Sequence, residues 1–224
     1  MIFKDLDLDK FRLDISQLEY DRLWLYLSED ERSRANNFKR EYLKRNFVAA
    51  RGYLRVLLAQ RLGCEPHQIK FSYGDRGKPY LEGINSGVYF NLAHSQDLAI
   101  YAICGDREVG LDLEYINPKC DFLSISKRYF LPLEHEIIHR IHGLGDRHQD
   151  LARLAFYRAW TLKEAYGKAT GQGITNILDR IDISPLLESP VGETLAIEGW
   201  VLKLLSTELA LNSSYAAALC VQII

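Results

Sequence analysis

Cysteine is scarce and unpaired in this sequence: Cys64, Cys104, Cys120 and Cys220 are scattered, with no C-x-x-C pair. That fits reduced thiols in a reducing compartment and argues against a disulfide frame. Long apolar runs are also missing, and none approaches the roughly 18 residues a membrane span needs. The opening "MIFKDLDLDKF" is acidic and lacks an apolar h-region, so a cytoplasmic protein is expected. Charge of one sign is lacking as well. A formal net charge of −2 argues against coating nucleic acid or an anionic membrane, and any basic site must be local. No low-complexity segment, long linker or residue-level repeat is present.

What the chain does have is length and apolar content. With 224 residues, 47% of them hydrophobic, it can bury a real core as one large domain or two small ones. From Glu31 to Arg61, apolar Leu43, Phe47, Ala50, Leu54, Leu57 and Leu58 fall three and four apart, which predicts one long helix. The same stretch holds nine basic residues against two acidic ones. It is either the solvated face of an amphipathic helix or a site for phosphate-bearing ligands.

Short runs of strand character follow: "KFSYGD", "GVYFNLAHS", "LAIYAIC" and "EVGLDLEYI", separated by turn residues. Helical patterns return in "DFLSISKRYFLPLEHEIIHRIHG" and from Gln149 to Thr170, with Leu151, Leu154, Ala155, Leu162, Ala165, Tyr166 and Ala169 near one face. Two strand-like segments close the chain. Helices followed by strands thus occur twice. This predicts an α+β fold of two similar, pseudo-two-fold related lobes, residues 1–108 and 109–224, each a small, mostly antiparallel sheet packed against helices.

In "VGLDLEY", Asp112 and Glu114 share one strand face with Cα atoms about 7 Å apart. Without a cation they repel by up to a few kcal/mol. Either they lie on a solvated face, or they are hard oxygen ligands suited to Mg²⁺. In "WTLKEAYGKATG", Glu164 and Lys168 are four apart, the favourable order for a helix ion pair of about 0.2–0.5 kcal/mol. That pairing does not explain the surrounding Trp160 and Tyr166. The "GQG" after it can cap the helix.

"VGLDLEY", the spacer of about fifty residues and "FYRAWTLKEAYGKATGQGI" together resemble the phosphopantetheinyl transferases of the Sfp type. That family carries an [IV]-G-[IVL]-D segment and a W-x-x-K-E-[SA]-x-x-K segment. "GKPYL" and "YFNLAHS" resemble two further family segments, with Ala93 where many relatives have serine, so a hydroxyl contact to the ligand is expected to be lost. The resemblance runs from about Arg32 to the last strand. It implies transfer of the 4'-phosphopantetheine arm of coenzyme A to a serine of an apo acyl or peptidyl carrier protein, releasing adenosine 3',5'-bisphosphate. Carriers of fatty acid, polyketide and nonribosomal peptide synthesis are the implied partners, and a monomer is expected.

By the same resemblance, Asp112, Glu114 and Glu164 would hold Mg²⁺ on the pyrophosphate, with Lys168 a fixed positive charge beside the phosphates. Glu164 is also the candidate general base, an effect of about 10²- to 10⁴-fold. His94 matches a phosphate-contacting position. Lys78, held extended by Pro79, with Arg76, Arg51 and Arg34, would pair the coenzyme A phosphates. Arg51 matches the family better than Arg34.

"HEIIH", His135 to His139, also fits the zinc-peptidase pattern H-E-x-x-H, with Glu136 as base. The extended pattern needs glycine at 142 and histidine at 145, and the chain has His142 and Gly145. A surface helix with Ile137, Ile138 and Ile141 on its core side is the simpler reading. A module that binds coenzyme A or a carrier without turnover is the third. It would keep Lys78, His94 and Arg51 but would not need Glu164 and Lys168.

Overall fold

The computed structural model describes residues 3–74, 77–83, 87–188, 193–205 and 208–224. In the N-terminal half, strand β1 (Leu6–Arg12) leads to helices α1 (Gln17–Tyr26), α2 (Glu29–Asn36) and α3 (Glu41–Leu62). A short hairpin of β2 (Phe71–Tyr73) and β3 (Pro79–Leu81) follows, then β4 (Tyr89–Ser95) and β5 (Leu98–Cys104). The C-terminal half opens with β6 (Val109–Tyr115) and continues through α4 (Phe122–Tyr129), α5 (Pro132–His142), α6 (Gln149–Thr170) and α7 (Ser184–Glu188). It closes with β7 (Thr194–Ile197), β8 (Trp200–Leu204) and β9 (Tyr215–Gln222). The sheet orders are β1-β5-β4 and β6-β9-β8-β7, both antiparallel. This is the expected two-lobed α+β architecture.

The lobes repeat one plan in detail. In each, the first strand pairs with the last: Leu6 faces Cys104 and Val109 faces Val221. In each, a helix of 22 residues ends at a left-handed glycine, Gly63 (φ 67°) or Gly171 (φ 72°), where a side chain would be strained. A buried glutamate at the third position of the preceding helix caps that helix and reaches across to the long one. Glu31 Oε2 accepts the Ser28 N–H at 3.1 Å and Arg55 Nε at 2.7 Å. Glu134 Oε2 accepts the Leu131 N–H at 3.0 Å, while its Oε1 takes Lys163 Nζ at 2.9 Å. Arg55 and Lys163 are each the fifteenth residue of their helix. Each also donates at 2.7 Å to the carbonyl of an isoleucine beyond that helix, Ile69 or Ile181.

The single helix expected over residues 31–61 is two. The chain turns between Asn37 and Arg40 so that α2 folds back on α3, because Glu31 must meet Arg51 and Arg55. Helix α6 has the expected bounds, and Ala155, Leu162, Ala165, Tyr166 and Ala169 of the expected face are in the core, with Ala152, Phe156 and Ala159 beside them; Leu151 is exposed instead. Full burial of Leu162 contributes on the order of 1.5–3 kcal/mol.

The lobes meet through an apolar layer that includes Ala93, Ile100, Leu111, Leu113, Ala217 and Leu219. Two side chains of β4 stitch it to β6: Asn91 Oδ1 accepts the Leu111 N–H at 2.9 Å and Ser95 Oγ accepts the Tyr115 N–H at 3.0 Å. Ala93 lies between them on the same strand face, in that apolar layer. A serine hydroxyl there would be buried between the lobes, so the expected loss of a ligand contact is corrected.

Candidate active site

Gly110 sets the geometry of the site. A Cβ at this position would come within 2.2 Å of the Ala165 oxygen and 2.4 Å of the Ala169 nitrogen, so only glycine lets β6 lie against α6. Strand alternation then sends Asp112 and Glu114 to the same side as Gly110, toward α6, while Leu111 and Leu113 enter the inter-lobe layer. The glycine of "VGLDLEY" therefore has a packing reason.

Lys168 Nζ donates to Asp112 Oδ1 at 2.7 Å. The ammonium turns across to the strand instead of pairing along the helix with Glu164, as the local spacing suggested. Asp112 is 4% exposed and its Oδ2 is buried without a hydrogen-bond partner. The solvated-face reading of Asp112 is thereby overturned. Burial raises the Asp112 carboxyl above its usual range, against the pull of Lys168. Glu114 is pushed up to about 7, first by burial and then by the negative charge of Asp112. Glu164 moves the same way for the same two reasons. The three carboxylates thus act on one another electrostatically although Glu164 lies 52 residues beyond Asp112. Ser95 Oγ donates to Glu114 Oε2 at 3.4 Å, which brings β4 to the edge of the cluster.

Among the described residues, no three His, Cys, Asp or Glu side chains are gathered closely enough to enclose a metal ion as they stand. Mg²⁺ does not require such a cage. It takes one or two carboxylates and leaves positions for water and phosphate oxygens. The unpartnered Asp112 Oδ2 and the neighbouring Glu114 and Glu164 oxygens are the right donors for that ion. Lys168 supplies part of the positive charge that such a cluster needs.

The residues expected to grip coenzyme A are spread over two surfaces. Arg34 and His94 line one cavity of about 810 Å³, with Tyr42, Asn46, Phe47 and Ser95. The Arg34 guanidinium sits 5.3 Å from the Phe47 ring centre. His94 is exposed, yet enough protein surrounds it that lost hydration, and secondarily the charge of Lys168, holds its pKa below the ordinary value. Arg51 and Lys78 border the β2–β3 hairpin instead. Arg51 is buried, with Nε on Glu31 Oε1 at 2.6 Å and Nη2 donating to Tyr73 Oη at 3.0 Å. Lys78 Nζ donates to Glu108 Oε2 at 2.6 Å and to the Ala169 carbonyl at 3.3 Å, joining the two lobes. Arg76 lies outside the described residues.

Most of the basic stretch is committed within the fold. Arg55 is buried on Glu31, Arg32 and Arg45 donate to backbone carbonyls, and Arg61 pairs with Asp5. Neither sequence reading of that stretch covers this use. The pairing glutamates were missed altogether. Ser28 three residues before Glu31 is a capping-box signal that points to the first of them. Glu108, adjacent to the "VGLDLEY" segment, was missed with them.

Comparison with known proteins decides the family. Residues 108–220 match the family model described as the 4'-phosphopantetheinyl transferase superfamily, and residues 14–105 match that described as 4'-phosphopantetheinyl transferase, N-terminal. The chain belongs to the 4'-phosphopantetheinyl transferase superfamily. It is 42% identical over 186 residues to the 4'-phosphopantetheinyl transferase HetI of Nostoc sp., covering 82% of this chain and 76% of that protein. To a 4'-phosphopantetheinyl transferase of Bacillus subtilis it is 27% identical over 169 residues, 75% of this chain and 71% of the relative. The L-aminoadipate-semialdehyde dehydrogenase-phosphopantetheinyl transferase of Xenopus laevis is 31% identical over 169 residues, 70% of this chain and 54% of its own length. Against this family background, Asp112, Glu114, Glu164 and Lys168 are the members of the two sequence segments that the fold brings together. Lys163, inside the same segment, is fully buried on Glu134 and serves the fold.

Proposed function

We propose that this 4'-phosphopantetheinyl transferase moves the phosphopantetheine arm of coenzyme A to a serine of an apo acyl or peptidyl carrier protein, with Mg²⁺, releasing adenosine 3',5'-bisphosphate. The observation that carries the reading is the meeting of Asp112, Glu114, Glu164 and Lys168 from two distant segments at the Gly110 approach. Residues 1–108 would grip coenzyme A and residues 109–224 supply the metal ligands and the base. The scattered free cysteines support a cytoplasmic setting.

In the reaction, the serine oxygen bonds to the phosphorus of the pantetheine phosphate as the bond from that phosphorus to the bridging oxygen breaks. The electron pair leaves with adenosine 3',5'-bisphosphate, and the serine proton passes to Glu164. Bound Mg²⁺, held by Asp112 with Glu114 and Glu164, would offset the negative charge of the diphosphate. Lys168 places a fixed ammonium where phosphate charge builds up, and Arg34 and His94 would hold the outer phosphate in their shared cavity.

A module that binds without turnover would not need a lysine fixed on a buried carboxylate. Incubation with apo carrier, coenzyme A and Mg²⁺ separates the readings by the carrier's mass. Transfer adds one phosphopantetheine arm, is abolished by a chelator and is restored by Mg²⁺. Binding with no mass gain favours the module. Glu164→Gln should abolish transfer in a folded protein, and near-normal turnover would refute its role.

A further inference from the structure

Helix α5 carries His135 and His139, the pair that the proposed transfer reaction leaves unused. We propose that they form a two-histidine chelate for a late divalent transition-metal ion such as Cu²⁺, Ni²⁺ or Zn²⁺, apart from the active site and without catalytic function.

The placement is that of a helical chelate. Residues four apart are neighbours on a helix surface. The two rings have centroids 5.9 Å apart. His139 is exposed and His135 partly so, while Ile137 and Ile138 turn into the core. Metal–imidazole bonds are about 2.0–2.1 Å, so the exposed His139 ring would turn a nitrogen toward His135 to share one ion.

Ser126 Oγ stands 2.9 Å from His135 Nδ1 and 3.1 Å from the Leu123 carbonyl. In the tautomer that binds a metal, Nδ1–H donates to Ser126 Oγ, the hydroxyl hydrogen goes to the Leu123 carbonyl and Nε2 keeps its lone pair. Ser126 is fully buried on α4, so the ring is held by a rigid outer partner of the kind metal-bound histidines use.

Two imidazoles select borderline metals over Mg²⁺ and Ca²⁺, with Cu²⁺ the most strongly held. Among the described residues no third ligand type gathers with them, and the His142 ring lies edge-on to Phe122, 6.0 Å away. Water fills the remaining positions. The arrangement is neither a closed structural zinc site nor a peptidase centre. The pair is aligned only while α5 is helical, so a metal that binds it stabilises the folded state by mass action.

The test uses untagged protein and the Cu²⁺–iminodiacetate complex near pH 7, which has two open positions for one histidine pair. One tight site should appear, with two imidazole nitrogens in its electron paramagnetic resonance spectrum and a raised Tm. His135→Ala and His139→Ala should each abolish it, His142→Ala should leave it intact, and Ser126→Ala should weaken it about 10- to 100-fold. His139 is exposed, so its alanine variant folds, and a melt without metal checks this. A tight site that survives His139→Ala, a spectrum with fewer than two imidazole nitrogens, or no binding overturns the proposal. Unchanged affinity in Ser126→Ala overturns the role given to that hydroxyl.

Discussion

Lys168, on α6, donates to Asp112 Oδ1 on β6 at 2.7 Å, so one charged hydrogen bond ties helix to strand at the centre of the candidate site. The other Asp112 oxygen is buried without a partner, and Lys168 is 35% exposed and open to a ligand. Lys168→Met should lower kcat by about 10²- to 10³-fold, the loss that follows removal of one preorganised charge-stabilising group. Lys168→Arg should recover part of that loss. A Met variant with unchanged kcat would show that the ammonium serves packing alone.

The close approach at Gly110 makes a stability prediction. A methyl group there meets backbone atoms of α6, which cannot move aside as a flexible side chain would. Gly110→Ala should cost at least about 1–3 kcal/mol, the range for forced overpacking, and should lower kcat as β6 is displaced from Lys168. Thermal melts and steady-state assays read the two effects. A variant as stable as the parent would contradict the packing argument.

The fully buried Glu134–Lys163 pair predicts non-additivity. Lys163→Met leaves the carboxylate with two backbone N–H donors and no cation, and should cost about 3–5 kcal/mol. Replacing both residues, Glu134→Leu with Lys163→Met, should cost less than either single change. Denaturant unfolding of the three variants closes the cycle. Glu31 differs in holding two cations, so Arg55→Met should cost less than Lys163→Met, and Glu31→Leu with Arg55→Met should stay costly because it strands buried Arg51.

His94 predicts a pH dependence. Its folded-state pKa lies below the ordinary histidine value of about 6.5, from lost hydration first and the Lys168 charge second. As pH falls through 6.5 the unfolded chain therefore takes up this proton before the folded one, and stability is lost toward the lower folded pKa. His94→Asn should flatten the stability curve below about pH 6.5, measured by urea unfolding across pH. An unchanged slope would show that His94 titrates alike in both states.

Local patterns were readable where the physics is local. The 3.6 period and "GQG" marked α6 from Gln149 to Thr170, alternation marked β6, and short strand-like runs between turn residues marked β4, β5 and β9. The "LDLDKF" alternation of β1 was just as local and was overlooked. Local propensity said nothing of α2 folding back, because that turn exists to bring Glu31 to Arg51 and Arg55, 20 and 24 residues away. Spacing likewise suggested Lys168 with Glu164, whereas the buried Asp112 carboxylate, short of water, competes for the ammonium.

By itself, then, the sequence determined most of the elements, the two-lobed class and the two motif segments of the transferase, since periodicity and turn chemistry act over a few residues. Only the tertiary structure decided which charges belong to the fold and which face the cleft. That choice depends on desolvation: Arg55, Lys163 and Asp112 differ from their exposed neighbours in the water they have lost, which no spacing along the chain records.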